Sequence, residues 1–134
     1  MKSLRKVLAT ALFAMVFTVG AYAQSSTKII AVVKTANWCS VCKANEARAM
    51  EALRENNKDG AYQFVINDIS SPETAKPSVA EIEKLGLTKL MEPYMATGVV
   101  YLFDAKTKKA INQLVMSLST EDLGRAMDYF KKGK

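Results

Sequence analysis

The sequence contains no histidine, only two cysteines, six glycines and three prolines among its 134 residues. Without histidine, the chain cannot use an imidazole as a general base, as a zinc ligand or in the Cys-x-x-Cys-His motif of haem attachment. Glycine and proline are too scarce, and apolar residues at 49% too frequent, for a collagen-like, low-complexity or disordered chain. Two cysteines are too few for a small disulfide-rich scaffold. At this length we expect one folded domain.

The N-terminal 23 residues have the composition of a cleavable targeting segment. Three basic residues lie in the first six positions, and an uncharged apolar run follows them. Ala21 and Ala23 then supply the small side chains that signal peptidase requires at alternate positions. The alternative is a transmembrane anchor, but the apolar run is shorter than the about 20 residues that span a bilayer. We therefore predict a signal peptide at 1–23, a mature domain at 24–134, and export to the periplasm or the medium.

The formal net charge of +6 does not indicate a nucleic-acid-binding protein. Part of the basic excess lies in the targeting segment and would be lost on cleavage. The other Lys and Arg residues are dispersed along the chain, whereas a nucleic-acid site needs a concentrated basic face. After residue 23, no apolar stretch is long enough to span a membrane. For the mature domain we expect a monomer with no nucleic-acid partner and no membrane span.

Hydrophobic patterning predicts an α/β domain. A continuous β-branched run at 29–33 is typical of a strand that is buried on both faces of a sheet. The stretch 41–57 has no glycine or proline and a helix-favouring composition. Three more strands are predicted at 62–66, 99–103 and 111–116. Two more helices are predicted, one at 79–85 and one after Ser119 or Thr120. The order strand–helix–strand–helix–strand–strand–helix indicates a central mixed four-stranded sheet flanked by helices.

The sequence also predicts finer details of these helices. Ser78 is predicted to be the N-cap of the second helix, with Glu81 as its capping-box partner. In the first helix, Ala47, Met50 and Leu53 recur at a helical spacing and are predicted to face the sheet. The stretch 87–94 is ambiguous and is compatible with a further short helix. In the last helix, Leu123, Met127 and Phe130 are the predicted apolar side chains.

Cys39 and Cys42 lie where the first predicted strand gives way to a helix. Free backbone N–H groups and the positive end of the helix dipole stabilise an anion there, so a thiolate at Cys39 is favoured. Lys43 adds a positive charge nearby. With two residues between them, Cys42 can close a disulfide with Cys39. This arrangement predicts that Cys39 attacks a partner disulfide and that Cys42 resolves the mixed disulfide.

Other interpretations of the pair remain open on the sequence alone. A close pair in an exported protein can be a purely structural disulfide. A zinc site would need two further ligands, and the chain has neither a third cysteine nor a histidine. A soft copper site could use the two sulfur atoms and one of the seven methionines. Trp38 is either a core residue or an aromatic side chain on the rim of the site.

The segment Trp38 to Lys43, which reads Trp-Cys-Ser-Val-Cys-Lys, resembles the Trp-Cys-x-x-Cys-Lys signature of the thioredoxin superfamily. As in that family, it follows a β-branched strand and opens a helix. Asn67-Asp68 is similar to the family's Asp-containing strand end, and the segment 100–104 is similar to its third strand. The likeness covers nearly all of the predicted mature chain. It implies a thioredoxin-like fold of the exported, thiol–disulfide interchange type.

The sequence departs from the family where thioredoxins have a cis-proline opposite the cysteines. Alignment on the third strand puts Gly98 there, preceded by Thr97. The resemblance implies that Thr97 and Gly98 face the substrate, and that Trp38 contributes to the same surface. An alternative is that Pro93, five positions earlier, takes the proline's place through a longer connection. Because the family's proline keeps metals off the thiols, its loss also favours metal binding slightly.

Two further departures concern the redox chemistry. Val33 lies six residues before Cys39, where the family has a buried carboxylate that assists proton transfer from the resolving thiol. Ser40 and Val41 replace the Gly-Pro pair of reducing thioredoxins, so the family's strongly reducing character is not implied. We predict an exported thiol–disulfide oxidoreductase that acts on exported protein thiols and disulfides, exchanges electrons with a redox partner and needs no dissociable cofactor or metal. The alternative is a binding or structural module with a static Cys39–Cys42 disulfide.

Overall fold

The computed structural model describes residues 27–133, so the predicted signal peptide at 1–23 lies outside the described residues. The elements in chain order are β1 (Ile29–Thr35), α1 (Ser40–Glu55), β2 (Tyr62–Asp68), α2 (Pro72–Lys84), α3 (Thr88–Met91), β3 (Val99–Asp104), β4 (Ala110–Val115) and α4 (Thr120–Lys131). The ambiguous stretch after residue 87 contains the single-turn helix α3. The predicted α/β class and the predicted order of strands and helices are confirmed.

The four strands form one mixed sheet in the order β2-β1-β3-β4. β1 and β2 run parallel, with Val32 opposite Val65. β3 is antiparallel to both β1 and β4, and the β3–β4 hairpin has a register shift at Leu102 and Phe103. Helix α1 makes the parallel crossover from β1 to β2, which places the start of α1 at the end of the central strand.

β1 is buried on both faces, as its β-branched composition predicts. Ile29, Ala31 and Val33 belong to the cluster that includes the buried faces of α1 and α4. Ile30 and Val32 belong to the opposite cluster, which includes residues of α2 and α3. Burying one such valine or isoleucine side chain contributes about 1.5–3 kcal/mol. Strand β1 therefore anchors both layers and fixes the position of the loop that follows it.

The predicted cap of α2 is wrong. Helix α2 begins at Pro72, and Ser71 is its N-cap, with a capping box completed by Thr74. Pro77 lies inside the helix and is exposed, where it costs one backbone hydrogen bond. Ser78 is buried in the helix, and its hydroxyl donates to the carbonyl oxygen of Ala75 at 2.8 Å. A serine followed by proline at the first helical position was the stronger start signal.

The predicted buried face of α1 is only partly right. Leu53 is buried and Met50 is partly buried against the core, but Ala47 is exposed. Because a helix has about 3.6 residues per turn, Ala47 is rotated out of the buried face that Cys42 shares with Leu53. Ala49 occupies the sheet-facing position instead. The buried face of α1 therefore includes Cys42, Ala49, Ala52 and Leu53.

Helix α4 matches its prediction. Ser119 is the N-cap, and its side chain accepts a hydrogen bond from the backbone N–H of Asp122. Leu123 and Met127 are buried, and Phe130 packs against the same core. No helix within residues 27–133 combines the length and the apolar character needed to cross a bilayer.

Candidate active site

Cys39 is the N-cap of α1. Its backbone is extended, with φ −84° and ψ 112°, and its sulfur accepts a hydrogen bond from the backbone N–H of Cys42 at 3.1 Å. The first turn of α1 carries no acidic side chain, so no carboxylate there opposes the positive end of the helix dipole. The sulfur thus takes the place of the side-chain oxygen of an ordinary N-cap residue. The geometry favours negative charge on Cys39, as the sequence predicts.

Cys39 and Cys42 are joined by a disulfide in this structure, with Cα atoms 5.2 Å apart. The two residues differ in their environment. Cys39 keeps 7% of its surface exposed at the end of the core, whereas Cys42 keeps only 1%. An incoming sulfur can therefore approach Cys39 more easily than Cys42.

Gly98 lies directly across from the pair. Its φ is +74°, and a Cβ atom added to it would lie 2.9 Å from Cγ1 of Val41 and 3.6 Å from Sγ of Cys39. This is the position that the resemblance assigns to Gly98. Pro93 is exposed at the end of α3, and no peptide bond within residues 27–133 is cis. The backbone beside the cysteine pair is therefore that of Gly98.

The sheet order β2-β1-β3-β4, the cysteine pair at the β1–α1 junction and the Gly98 loop before β3 together decide the architecture. The fold is thioredoxin-like. No protein-family model matches the sequence, and no curated protein matches it significantly. Among solved structures, the chain is similar to the crystal structure of Trxlp from Edwardsiella tarda EIB202, with 16% identity and a TM-score of 0.47. The match covers 77% of this chain and 84% of that chain.

The thioredoxin-like loop before β3 uses the backbone of Gly98 internally. The Gly98 N–H donates to the carbonyl of Lys34 at 2.8 Å, and the Gly98 carbonyl accepts from the N–H of Met116 at 2.9 Å. By contrast, neither the N–H nor the carbonyl of Thr97 forms a hydrogen bond with another residue in the range 27–133. Of the two predicted substrate-facing residues, Thr97 alone therefore has backbone groups to offer.

Two residues that the sequence analysis did not single out hold this loop in place. The Lys34 ammonium donates to the Tyr94 carbonyl at 2.8 Å, and the Tyr101 hydroxyl donates to the Ala96 carbonyl at 2.8 Å. The Tyr94 ring packs on the Tyr101 ring, with centroids 4.8 Å apart. Partial burial lowers the pKa of Lys34, because the ammonium loses water. A lysine at the end of an otherwise apolar strand was the signal that could have drawn attention to it.

The rim around Cys39 is apolar and exposed. Trp38 keeps 61% of its surface exposed, and Val41 is also exposed. Trp38 is therefore a rim residue, and the core interpretation of it is wrong. Lys43 is exposed one residue after Cys42 and lines two cavities beside the helix.

A carboxylate does lie near the cysteines, but on α1 and not on β1. Val33 is fully buried and apolar, as the sequence shows. Glu46 lies one turn after Cys42, and its carboxylate accepts a hydrogen bond from the buried hydroxyl of Thr35 at 2.7 Å. Glu46 and Cys42 both line a groove of about 500 Å³ along the helix. Because Glu46 follows Cys42 by four residues in a predicted helix, the sequence alone could have identified it.

The part of the chain that the structure describes holds no cluster of three or more Cys, Asp or Glu side chains placed to bind a metal ion. Cys39 and Cys42 are therefore the two sulfur ligands that a soft metal would find at this site, and a copper site would need a further donor. The chemistry that the described side chains can carry out unaided is thiol–disulfide exchange.

Proposed function

We propose that this protein is a thiol–disulfide oxidoreductase in which Cys39 is the nucleophile and Cys42 is the resolving thiol. The observation that carries the proposal is the asymmetry of the pair. Cys39 lies at the N-cap, where its thiolate is stabilised, and keeps 7% of its surface exposed, whereas Cys42 lies one turn inside α1 and keeps only 1%. A purely structural disulfide does not require this difference.

In the reducing direction the reaction consumes a client disulfide. The Cys39 thiolate attacks one client sulfur, the client S–S bond breaks, and a mixed disulfide forms while the second client sulfur leaves as a thiolate and takes a proton. Cys42 then loses its proton and attacks Sγ of Cys39. The client leaves as a dithiol, and the Cys39–Cys42 disulfide forms. The reverse sequence oxidises a client, and a second redox partner restores the starting state.

Client recognition would use the exposed rim and the loop before β3. Trp38 and Val41 offer apolar contacts beside Cys39. The N–H and carbonyl of Thr97 are the backbone groups that an extended client segment could pair with, while Gly98 allows close approach because it has no side chain. We infer that the clients present their cysteines on extended segments with apolar neighbours.

A second candidate is a thioredoxin-like binding module whose disulfide does not turn over. Two observations favour it: Val33 provides no carboxylate behind Cys42, and both backbone polar groups of Gly98 are already bonded within the fold. Thiol reactivity discriminates between the two candidates, because a static disulfide needs no reactive surface thiol.

After mild reduction of the folded protein, Cys39 is expected to react with iodoacetamide at neutral pH at least about tenfold faster than Cys42, because thiolate character and exposure set the rate. Timed alkylation followed by peptide mass spectrometry measures both rates in one sample. The protein unfolded in denaturant is the control, since there the two cysteines should react alike. Equal rates in the folded protein, or a Cys39 no faster than glutathione, would favour the static module.

We also propose that the protein acts outside the cytoplasm. The proposal rests on the basic start, the short apolar run and the Ala-x-Ala end of residues 1–23. Expression of the full chain in a bacterial host is expected to yield exported protein that begins at Gln24, cyclised or not, in intact-mass measurement. An Ala23→Arg variant should be retained with its leader, because arginine does not fit the peptidase site. Exported protein that still begins at Met1 would contradict cleavage.

A further inference from the structure

The resolving step requires a proton acceptor for Cys42. Only 1% of Cys42 is exposed, and burial in apolar surroundings favours the neutral thiol over the thiolate. To attack Cys39, the buried thiol must nevertheless lose its proton. On the sheet side, Val33 is apolar and fully buried and offers no acceptor. The acceptor has to be reached on the helix side.

Glu46 is the carboxylate that the helix brings to this side. It is four residues after Cys42, and side chains at this spacing lie on the same face of a helix. The buried hydroxyl of Thr35 donates to its carboxylate at 2.7 Å, which fixes the carboxylate at the end of β1. Both Cys42 and Glu46 line the groove of about 500 Å³ along α1, which has room for water between them.

The other charged groups around the groove do not compete for this role. Lys43 and Arg54 line the groove with Glu46, and both are basic side chains, so neither supplies a carboxylate. Asp68, from the end of β2, lines the smaller cavity of about 200 Å³ on the other side of Glu46. Its carboxylate oxygen already accepts hydrogen bonds from the N–H and hydroxyl of Ser70. Among the residues that line the groove with Cys42, Glu46 is the carboxylate.

We propose that Glu46 is the proton acceptor for Cys42 in the resolving step, through water in the groove, and that Thr35 positions the Glu46 carboxylate. The proton passes from the Cys42 thiol to the carboxylate, the thiolate attacks Sγ of Cys39, and the bond from Cys39 to the client breaks with departure of the client thiolate. Glu46 then releases the proton to solvent. In the oxidising direction the same group returns a proton to Cys42. This inference rests on the proposed function.

Ellman's reagent, an aromatic disulfide that releases a coloured thiolate, separates the two chemical steps on the reduced protein. Attack by Cys39 releases a first equivalent of thiolate, and attack by Cys42 on the mixed disulfide releases a second. In stopped-flow measurements at pH 7, Glu46→Gln is expected to leave the first phase unchanged and to slow the second about tenfold or more. Thr35→Val should slow the second phase by a smaller factor, because the carboxylate is kept but no longer held.

The pH profile distinguishes a proton acceptor from a structural residue. The deficit of Glu46→Gln should shrink towards pH 10, where hydroxide can deprotonate Cys42 directly. The glutamine oxygen can still accept the Thr35 hydrogen bond, so the fold is kept. Glu51→Gln, an exposed change on the same helix, is the matched control and should leave both phases unchanged.

Each outcome of the experiment is decisive. A second phase that is unchanged or faster in Glu46→Gln, or that is slowed equally at every pH, overturns the role of Glu46, and an unaffected Thr35→Val overturns the positioning role of Thr35. A missing first phase in the wild-type protein instead overturns the proposed function, so the two failures are distinguishable.

Discussion

Cys42→Ser protein is expected to accumulate mixed disulfides with its clients, whereas Cys39→Ser protein should accumulate few or none. With Cys42 present, the resolving thiol is held one helical turn from the mixed disulfide. The high effective concentration of this thiol makes its attack on the mixed disulfide fast, so the intermediate does not accumulate. With serine there, Cys39 can still attack but nothing within the protein releases the client. In the Cys39→Ser protein the remaining cysteine, Cys42, is a poor nucleophile because it is buried.

The measurement is recovery of the tagged full-length protein under non-reducing conditions, followed by reduction and identification of the released proteins. We expect about tenfold or more adduct from Cys42→Ser than from wild type, in line with the large effective molarity of a held thiol. Glu51→Gln, an exposed change later in α1, is the matched control and should behave as wild type. Adducts that are equally abundant on Cys39→Ser and Cys42→Ser would assign the reactivity to chance oxidation and remove the basis of the proposed mechanism.

Gly98→Val is expected to lower the free energy of unfolding by about 3 kcal/mol or more and to abolish exchange at Cys39. Two costs add at this position. A β-branched residue at a φ of +74° is strained, and its Cβ would lie 2.9 Å from Cγ1 of Val41. The strained loop can recover only by moving away from the cysteine pair, which removes the backbone that faces Cys39.

Gly86 offers a matched control for the strain alone. It also has a φ of +74°, but a Cβ atom added there would meet nothing within 4 Å. Urea unfolding of Gly86→Val should show a loss of only about 1–2 kcal/mol. Adding Val41→Ala to Gly98→Val should recover part of the extra loss, because it removes the closest atom. If the two valine substitutions cost the same, contact with Val41 makes no contribution and the steric part of the argument fails.

The outline of this fold can be predicted from sequence because the composition of its central strand is compatible with few arrangements of the surrounding layers. A run of β-branched residues that is apolar at every position fits only a strand covered on both faces, and the cysteine pair then marks the start of the first helix. The predicted cap at Ser78 is wrong because the preceding proline, Pro77, is ambiguous in sequence: a proline can begin a helix or be tolerated on its exposed side. Ala47 was misplaced because helical spacing fixes a periodicity but not which of the possible faces is turned inward.

The detailed contacts of the site could not be predicted in the same way. The Lys34 side chain reaches a carbonyl 60 residues away, at Tyr94, and no sequence spacing connects the two. The pairing of Thr35 with Glu46 depends on how far α1 is rotated about its axis after the loop. Gly98 was found by alignment to a family pattern, but the internal use of its N–H and carbonyl follows from the register of β1, β3 and β4. Such contacts depend on tertiary packing and not on local propensity.

Lys34 binds the loop opposite Cys39 at two points, through its backbone carbonyl to Gly98 and through its ammonium to Tyr94. Since Lys34 is part of the central strand, the loop has little conformational entropy left to lose when a client docks. Ordering the loop then costs little free energy on binding, and the conformational entropy that is lost is mainly that of the client segment. A rigid receptor of this kind favours cysteines on stretches of polypeptide that are still flexible enough to adapt their shape to it, such as chains that have not finished folding.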